Sequence, residues 1–285
     1  MLYSVKNDVL EISADTFGAE LHSIKLKGKE YLWQCGDAWK RYAPVLFPFV
    51  CSPKDRTYYA GGKEYKMLAN HGFARDSEFE FLEKTENSVA FVLKDNDKTL
   101  SQYPYHFELV VKYTIEGNKV LVSDTVKNTD NKDIYFYIGA HPAFICPLNE
   151  GEKFYDYYVE YDADEKYTSQ IGGKKDAFDE NGKVLKLTRS LFDDDAIILD
   201  LPNSKKISLK NTKGSNCVTV EFPMSESIAV WSPTGDDNAE FVCLEPWSSV
   251  PTYCDDEFEN IENKPHAISL EPGKEYEYHY SIGLE

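Results

Sequence analysis

The chain has 285 residues, of which 42% are hydrophobic and 14% aromatic, and it carries a formal net charge of −18. This charge argues against nucleic acids and anionic membranes as partners. No apolar stretch approaches the ~20 residues that cross a bilayer. The first residues lack the basic and apolar regions of a signal peptide, so we expect a cytoplasmic location.

Six cysteines are spread along the chain, and none forms a Cys-x-x-Cys pair. They stand at positions 35, 51, 146, 217, 243 and 254. This spacing is poor for a zinc site, and disulfides are uncommon in proteins without a secretion signal. We therefore expect reduced, mostly packed thiols.

Short apolar segments separated by turn signals predict a chain built from β-strands. Glycine turns predict hairpins at 26–33 and 58–65, and an alternating apolar face predicts a long hairpin over 107–126. Other strands are predicted at 9–12, 20–24, 78–82, 88–93, 134–138, 197–199, 207–209, 218–222, 228–231, 241–244 and 276–282, with a loop at 171–176. Sustained helical periodicity, repeats and linkers are missing. Residues 1–285 are therefore expected to form one antiparallel all-β domain.

Gly139-Ala140-His141-Pro142-Ala143-Phe144 follows the aromatic and β-branched run at 134–138. Pro142 restricts His141 to extended backbone, so the imidazole is held on a stiff segment at a strand end. A lone histidine is more often a core residue satisfied by its neighbours. Two further segments of similar character favour a functional role here.

The second segment is His71-Gly72-Phe73-Ala74-Arg75. Gly72 permits an unusual backbone angle beside the histidine, and Arg75 offers a planar fork of five hydrogen-bond donors. The alternative interpretation of Arg75 is a salt bridge to Asp76, Glu78 or another carboxylate.

The third segment is Cys243-Leu244-Glu245-Pro246-Trp247, where a carboxylate follows an apolar strand. A buried, unpaired carboxylate is costly, so Glu245 must be paired, solvated or engaged with a ligand. Three ionisable groups on separate segments indicate acid–base chemistry. A Gly-x-Ser-x-Gly elbow, a phosphate loop and a dinucleotide fingerprint are all missing from the sequence.

Two other regions carry candidate binding residues. Lys40 and Arg41 precede the segment 43–48, which its prolines predict to be short and buried. Basic residues in such a place are more often solvated. Asp193, Asp194 and Asp195 precede an apolar strand but lack the spacing of a calcium loop. They either cap a turn or direct one carboxylate into a site.

The three segments, in this order, resemble motifs of the aldose 1-epimerase (galactose mutarotase) family. Ala-Pro-Val-Leu-Phe-Pro at 43–48 is similar to its LacX-like branch. The resemblance spans nearly the whole chain and implies a β-supersandwich with a sugar cleft. The branch often has Gly-Arg where this chain has Cys51-Ser52, so substrate contacts on that side are expected to differ.

The resemblance also implies roles for individual residues. It implies Glu245 as the general base on the anomeric hydroxyl and His141 as the acid toward the ring oxygen. His71 holds and polarises the sugar, and Asp195 binds a hydroxyl. The sugar-binding arginine matches Arg41, with Lys40 as the alternative under a one-residue shift.

The predicted chemistry is ring opening of a hemiacetal, in which a proton leaves O1 while another is delivered to O5. One carboxylate and one imidazole that exchange protonation states suffice, so neither a metal nor a cofactor is required. We expect His71, His141 and Glu245 to line one cleft, with Arg75 at its edge. The carboxylate and imidazole are expected to stand far enough apart to straddle a pyranose. A nearby carboxylate is expected to raise the imidazole pKa.

The partner predicted from these residues is a small-molecule aldose, and the chain is expected to be a monomer or a homodimer. One alternative is a hexose-phosphate mutarotase in which Arg75, with Lys54 or Arg56, clamps phosphate. The other is a catalytically silent sugar-binding or sensing protein on the same fold.

Overall fold

The computed structural model describes residues 1–165, 170–171, 178–214, 217–235 and 238–285. Its strands are β1 Leu2–Lys6, β2 Leu10–Asp15, β3 Leu21–Leu26, β4 Lys29–Glu30, β5 Val45–Leu46, β6 Thr57–Ala60, β7 Lys63–Lys66, β8 Glu80–Lys84, β9 Ser88–Lys94, β10 Phe107–Glu116, β11 Lys119–Asn128, β12 Ile134–Phe136, β13 Gly139–Ala140, β14 Ala143–Ile145, β15 Tyr157–Tyr161, β16 Gln170–Ile171, β17 Val184–Lys186, β18 Ile197–Asp200, β19 Lys206–Asn211, β20 Val218–Glu221, β21 Ser227–Trp231, β22 Phe241–Trp247, β23 Ile268–Leu270 and β24 Glu275–Leu284. Among these residues helical structure is brief: one α-helix, α1, at Asp97–Leu100, and 3₁₀ turns at Lys54–Arg56, Ala74–Asp76, Phe154–Asp156, Arg189–Phe192, Thr252–Asp255 and Ile261–Asn263.

The strands form antiparallel sheets, as the sequence predicts. Within the described residues, the largest sheet has the order β17-β15-β19-β20-β24-β11-β10-β9-β8. A second sheet has the order β16-β18-β21-β22-β13-β5, with β14 also paired to β22, and a third has the order β1-β2-β3-β4. Two small ladders, β6-β7 and β12-β23, lie outside these three sheets.

The predicted hairpins are confirmed. Gly28 turns the chain between β3 and β4, Gly61 and Gly62 turn it between β6 and β7, and β10 pairs with β11 over ten residue pairs from Phe107↔Asn128 to Glu116↔Lys119. Inward residues alternate with outward ones along β10 and β11, because successive side chains of a strand point to opposite faces.

Several predicted bounds differ from the structure. The strand predicted at 134–138 ends at Phe136, although Tyr137 and Ile138 remain buried. β22 runs beyond the predicted 241–244 to Trp247, because Glu245 and Trp247 still pair with β21. Ile171, expected in a loop, lies in β16, and the rest of that predicted loop, 172–176, lies outside the described residues. The sequence also missed α1, which Asn96 caps by accepting from the backbone N–H groups of Lys98 and Thr99.

One cluster of buried hydrophobic residues runs from Val5 to Leu284 and includes strands of the three larger sheets. The second sheet carries the segments that the sequence singles out. Gly139 pairs with Leu46 on one side and with Trp247 on the other, so the His141 segment lies between β5 and β22. Among the described residues, no helix is long and apolar enough to span a membrane.

Candidate active site

A cavity of about 440 Å³ opens where the second sheet meets the loops around it. Six short stretches and three strands, β18, β21 and β22, contribute to its wall, and most of them are far apart in the sequence. The lining residues are Trp39, Cys51, Ser52, Asn70, His71, Arg75, His141, Asp195, Ala196, Ile198, Trp231, Glu245, Trp247 and Tyr253. The three segments predicted to share one cleft therefore meet.

His141 occupies the short connection between β13 and β14, and its backbone N–H donates to the Pro44 carbonyl at 3.0 Å. Its ring is packed on three sides by aromatic rings. Trp39 stacks on it with centroids 5.0 Å apart, while Trp231 and His71 meet it edge-on at 5.7 and 5.4 Å. This packing fixes the imidazole plane before any ligand binds.

Glu245 lies inside β22, two residues before its end, and only 2% of its side chain is exposed. Its Oε2 is 3.2 Å from Nε2 of His141. The prediction that these groups straddle a pyranose ring is therefore wrong. Direct contact still suits the chemistry, because the anomeric O1 and the ring O5 are bonded to the same carbon.

Burial shifts the pKa values of this pair in opposite directions. It lowers the pKa of His141 to about 3, with the positive charge of Arg75 as a second cause. Burial raises the pKa of Glu245 well above its usual range, and the negative charge of Asp195 adds to the rise. The prediction of a raised His141 pKa is thus wrong, because desolvation disfavours the imidazolium. Both shifts favour a neutral acid beside a neutral imidazole.

His71 is held in a left-handed backbone conformation with φ of 61°. Its backbone N–H donates to the Cys51 carbonyl at 2.6 Å, and its Nδ1 accepts the Cys51 backbone N–H at 3.0 Å. An accepting Nδ1 places the ring proton of a neutral imidazole on Nε2. Burial and the neighbouring His141 lower the pKa of His71. His71 is therefore a hydrogen-bond donor on the cavity wall.

Gly72 continues this left-handed stretch with φ of 74° and forms a bridge with Phe47. A Cβ at this position would lie 2.1 Å from the Phe47 carbonyl oxygen. We expect Gly72→Ala to lower the free energy of unfolding by at least ~2 kcal/mol, since it adds a clash to backbone strain. Thermal melts would measure the loss.

Gly61→Ala is the matched control for Gly72→Ala. Gly61 also has a positive φ, of 57°, but a Cβ there would meet nothing within 4 Å. The strain is thus common to both variants, and the clash is confined to one. Equal melting temperatures for the two variants would contradict the close approach of Gly72 to Phe47.

Arg75 lines the cavity, and its Nε is buried without a hydrogen-bond partner. The alternative salt bridge to Asp76 is only a marginal contact of 3.9 Å. Arg41 makes the stronger contact instead: its Nη2 donates to Asp76 at 2.7 Å, and its Nη1 donates to the Arg75 carbonyl at 3.0 Å. Arg41 thus supports the Arg75 turn and is not among the residues that line the cavity. Lys40 is exposed and paired with Asp37.

Asp195 lies exposed at the cavity, two residues before the start of β18. Its backbone has a φ of 86°, and its N–H donates to the Phe192 carbonyl at 3.0 Å, closing the turn that follows the 3₁₀ helix Arg189–Phe192. Of the three consecutive aspartates, this one is among the lining residues.

The chain matches the family model described as aldose 1-epimerase over residues 1–283. It belongs to the aldose 1-epimerase family. The plasmid-encoded protein LacX of Lactococcus lactis subsp. lactis is 37% identical to it, over 95% of each chain. A galactose mutarotase related enzyme from Lactobacillus acidophilus has a TM-score of 0.90 and 31% identity, covering 100% of this chain and 97% of its own. A galactose mutarotase-like protein from Lactobacillus casei has a TM-score of 0.87 and 27% identity, covering 100% of both chains.

Family membership makes the protein an isomerase with a galactose mutarotase-like fold, as the sequence motifs predicted. The cavity of this aldose 1-epimerase brings together five of the six predicted site residues, and Arg41 is the exception. Sequence reasoning missed the lining residues Trp39, Asn70, Trp231 and Tyr253. Asn70 is next to His71 and could have been predicted from that motif. Trp39 lies in an irregular segment and Tyr253 in the 3₁₀ turn Thr252–Asp255, and neither belongs to a motif.

Proposed function

We propose that this aldose 1-epimerase interconverts α and β anomers with Glu245 and His141 as the proton-exchanging pair. The observation that carries the proposal is the 3.2 Å contact between Glu245 Oε2 and His141 Nε2 on the wall of one cavity. Glu245 removes the proton of the anomeric hydroxyl, and His141 delivers one to the ring oxygen. Rotation about C1–C2 and the reverse transfers close the ring onto the other face.

The proton count of the pair fits this cycle. The pair shares one titratable proton in each of two states. In the first state Glu245 is ionised and His141 is protonated, and in the second both groups are neutral. Ring opening converts the first state into the second, and ring closure restores it. Burial favours the neutral state, which is the state paired with the open-chain sugar.

The rest of the wall binds the sugar in this proposal. His71 donates its Nε2 proton and Arg75 its guanidinium hydrogens to hydroxyl groups, while Asp195 accepts one. Trp231 and Trp247 offer apolar surface to the pyranose ring. Arg41 acts indirectly, because its hydrogen bond to Asp76 leaves Arg75 free to face the cavity.

We place this activity in a single domain over residues 1–285 and in the cytoplasm. One continuous hydrophobic cluster supports the single domain. All six cysteines are free thiols, which is the usual state in a reducing compartment. The oligomeric state we propose is a monomer or a homodimer.

The rate of anomer exchange should pass through a maximum with pH. As pH falls through about 3, His141 gains a proton while Glu245 is already protonated, so the pair lacks a base. As pH rises through the raised pKa of Glu245, the pair loses its one proton and lacks an acid. NMR exchange rates, corrected for the spontaneous reaction, would give the profile.

The acidic limb distinguishes this arrangement from an ordinary imidazole. If His141 titrated near 6.5, the rate would change steeply between about pH 5 and 8. Thermal melts at each pH would show that the protein stays folded where the rate falls.

Polarimetry of freshly dissolved α-glucose and α-galactose tests the function itself. The expected result is an approach to anomeric equilibrium that accelerates in proportion to protein concentration. Unchanged mutarotation of both sugars would contradict the proposal for these substrates.

A phosphorylated aldose is the second candidate substrate. A hollow of about 500 Å³ shares Ser52 and Asn70 with the cavity and is lined by Arg56 and Lys66. Because Ser52 and Asn70 line both spaces, we infer that a phosphate on a sugar in the cavity would extend toward these cations. In that case Arg56→Gln should raise KM for glucose 6-phosphate and leave KM for glucose unchanged. Equal effects on both sugars would favour the unphosphorylated substrate.

A further inference from the structure

Cys243, whose thiol can bind metals, lies next to the proton-exchanging pair of His141 and Glu245. Ligand atoms of His141, Cys243 and Glu245 all lie within 4.8 Å of one another, and all three residues are buried. Acid–base exchange of anomers has no use for a thiol, and Cys243 is not among the residues that line the cavity.

The strand geometry explains why the thiol lies there. Cys243 and Glu245 are two residues apart in β22, so their side chains share one face of the sheet. Ala143 of β14 pairs with Cys243, which brings the preceding His141 alongside that face. The three side chains are therefore held together by backbone pairing.

Thiolate sulfur, imidazole nitrogen and carboxylate oxygen are ligands that Zn²⁺ accepts in tetrahedral sites, and three protein ligands leave a fourth position open. Here that position faces the cavity, since His141 and Glu245 line it. We propose that His141, Cys243 and Glu245 bind Zn²⁺ and that the bound ion inhibits the enzyme. The inhibition rests on the proposed function, because the metal takes the lone pairs that the proton transfers need.

Binding Zn²⁺ requires the three ligand atoms to move slightly closer together. Zn²⁺ binds sulfur at about 2.3 Å and nitrogen or oxygen at about 2.0 to 2.2 Å, which puts tetrahedral ligand atoms about 3.5 Å apart. His141 and Glu245 already meet this spacing at 3.2 Å. A rotation of the Cys243 side chain that brings its sulfur closer by roughly 1 Å completes the set.

The test combines a spectrum with an activity measurement. Co²⁺ added to the full-length protein under anaerobic conditions should give a sulfur-to-cobalt charge-transfer band, and Zn²⁺ should abolish that band at one equivalent. Zn²⁺ should inhibit anomer exchange over the same concentration range, and sugar should weaken the inhibition by competition. Cys243→Ser should keep near wild-type exchange without metal and weaken Zn²⁺ inhibition by at least ~100-fold.

Cys254→Ser is the matched control, since Cys254 is exposed, and it should leave the band and the inhibition unchanged. Cys243→Ala is a second test of the same thiol, and thermal melts of both variants would show whether the serine variant has a folding defect.

A charge-transfer band that survives Cys243→Ser, or one removed by Cys51→Ser instead, would overturn the site. A band that depends on Cys243 without any inhibition would overturn the blocking of the pair and count against its catalytic role. Failure of the wild-type protein to exchange anomers without metal would count against the proposed function alone.

Discussion

Anomer exchange should slow by ~10² to 10⁴ when Glu245 is replaced by glutamine, because a positioned acid or base contributes a factor of this size. The factor corresponds to roughly 3 to 5 kcal/mol of transition-state stabilisation. Glutamine keeps the shape of the side chain but removes its basic lone pairs. Sugar affinity should fall much less, since His71, Arg75 and Asp195 remain. Exchange is measured by NMR and binding by calorimetry.

The paired variant sharpens this test. Glu245→Gln combined with His141→Asn should be little worse than either single change, because the two groups act as a unit. Their 3.2 Å contact is the structural reason for this non-additivity. Exchange at the wild-type rate in Glu245→Gln would exclude Glu245 as the base.

Asp124→Asn should stabilise the protein strongly at alkaline pH. Asp124 lies in β11 between Val111 and Tyr278 of the neighbouring strands, is 1% exposed, and leaves Oδ1 without a hydrogen-bond partner. Burial raises its pKa from 3.8 to about 8. This rise corresponds to roughly 6 kcal/mol of stability lost when the carboxyl ionises.

The sign of the pH dependence follows from that rise. The folded protein holds a proton on Asp124 that the unfolded chain releases above pH 3.8, so stability falls as pH rises from 3.8 to about 8. Asparagine has no proton to lose. Its advantage in free energy of unfolding should thus be small near pH 4 and largest above pH 8, where it corresponds to roughly 10 °C in melting temperature.

Thermal melts of the wild type and Asp124→Asn at several pH values would measure this difference. Asp8→Asn provides the control, because Asp8 is exposed at the turn between β1 and β2. If Asp124→Asn raised the melting temperature by the same amount at every pH from 4 to 9, Asp124 would not be a buried, protonated carboxyl.

The sequence by itself determined the strand pattern and the residues that carry chemistry. Alternating apolar residues and glycine turns are local signals, so the hairpin over 107–126 and the Gly-Gly turn were predictable. The motifs around His71, His141 and Glu245 indicated the family because each one is a short stretch of consecutive residues that can be recognised without the structure. α1 went unpredicted because its single turn depends on one capping residue, Asn96.

Only the tertiary structure decided how these residues meet. The pairing of β13 between β5 and β22 brings His141 to 3.2 Å from Glu245, and a distance between segments about a hundred residues apart has no local signal. The pKa of His141 falls because the fold removes water from its ring, a quantity that the sequence does not contain. The position of the Arg41 side chain also depends on the fold. Its guanidinium donates a hydrogen bond to Asp76 and does not line the cavity.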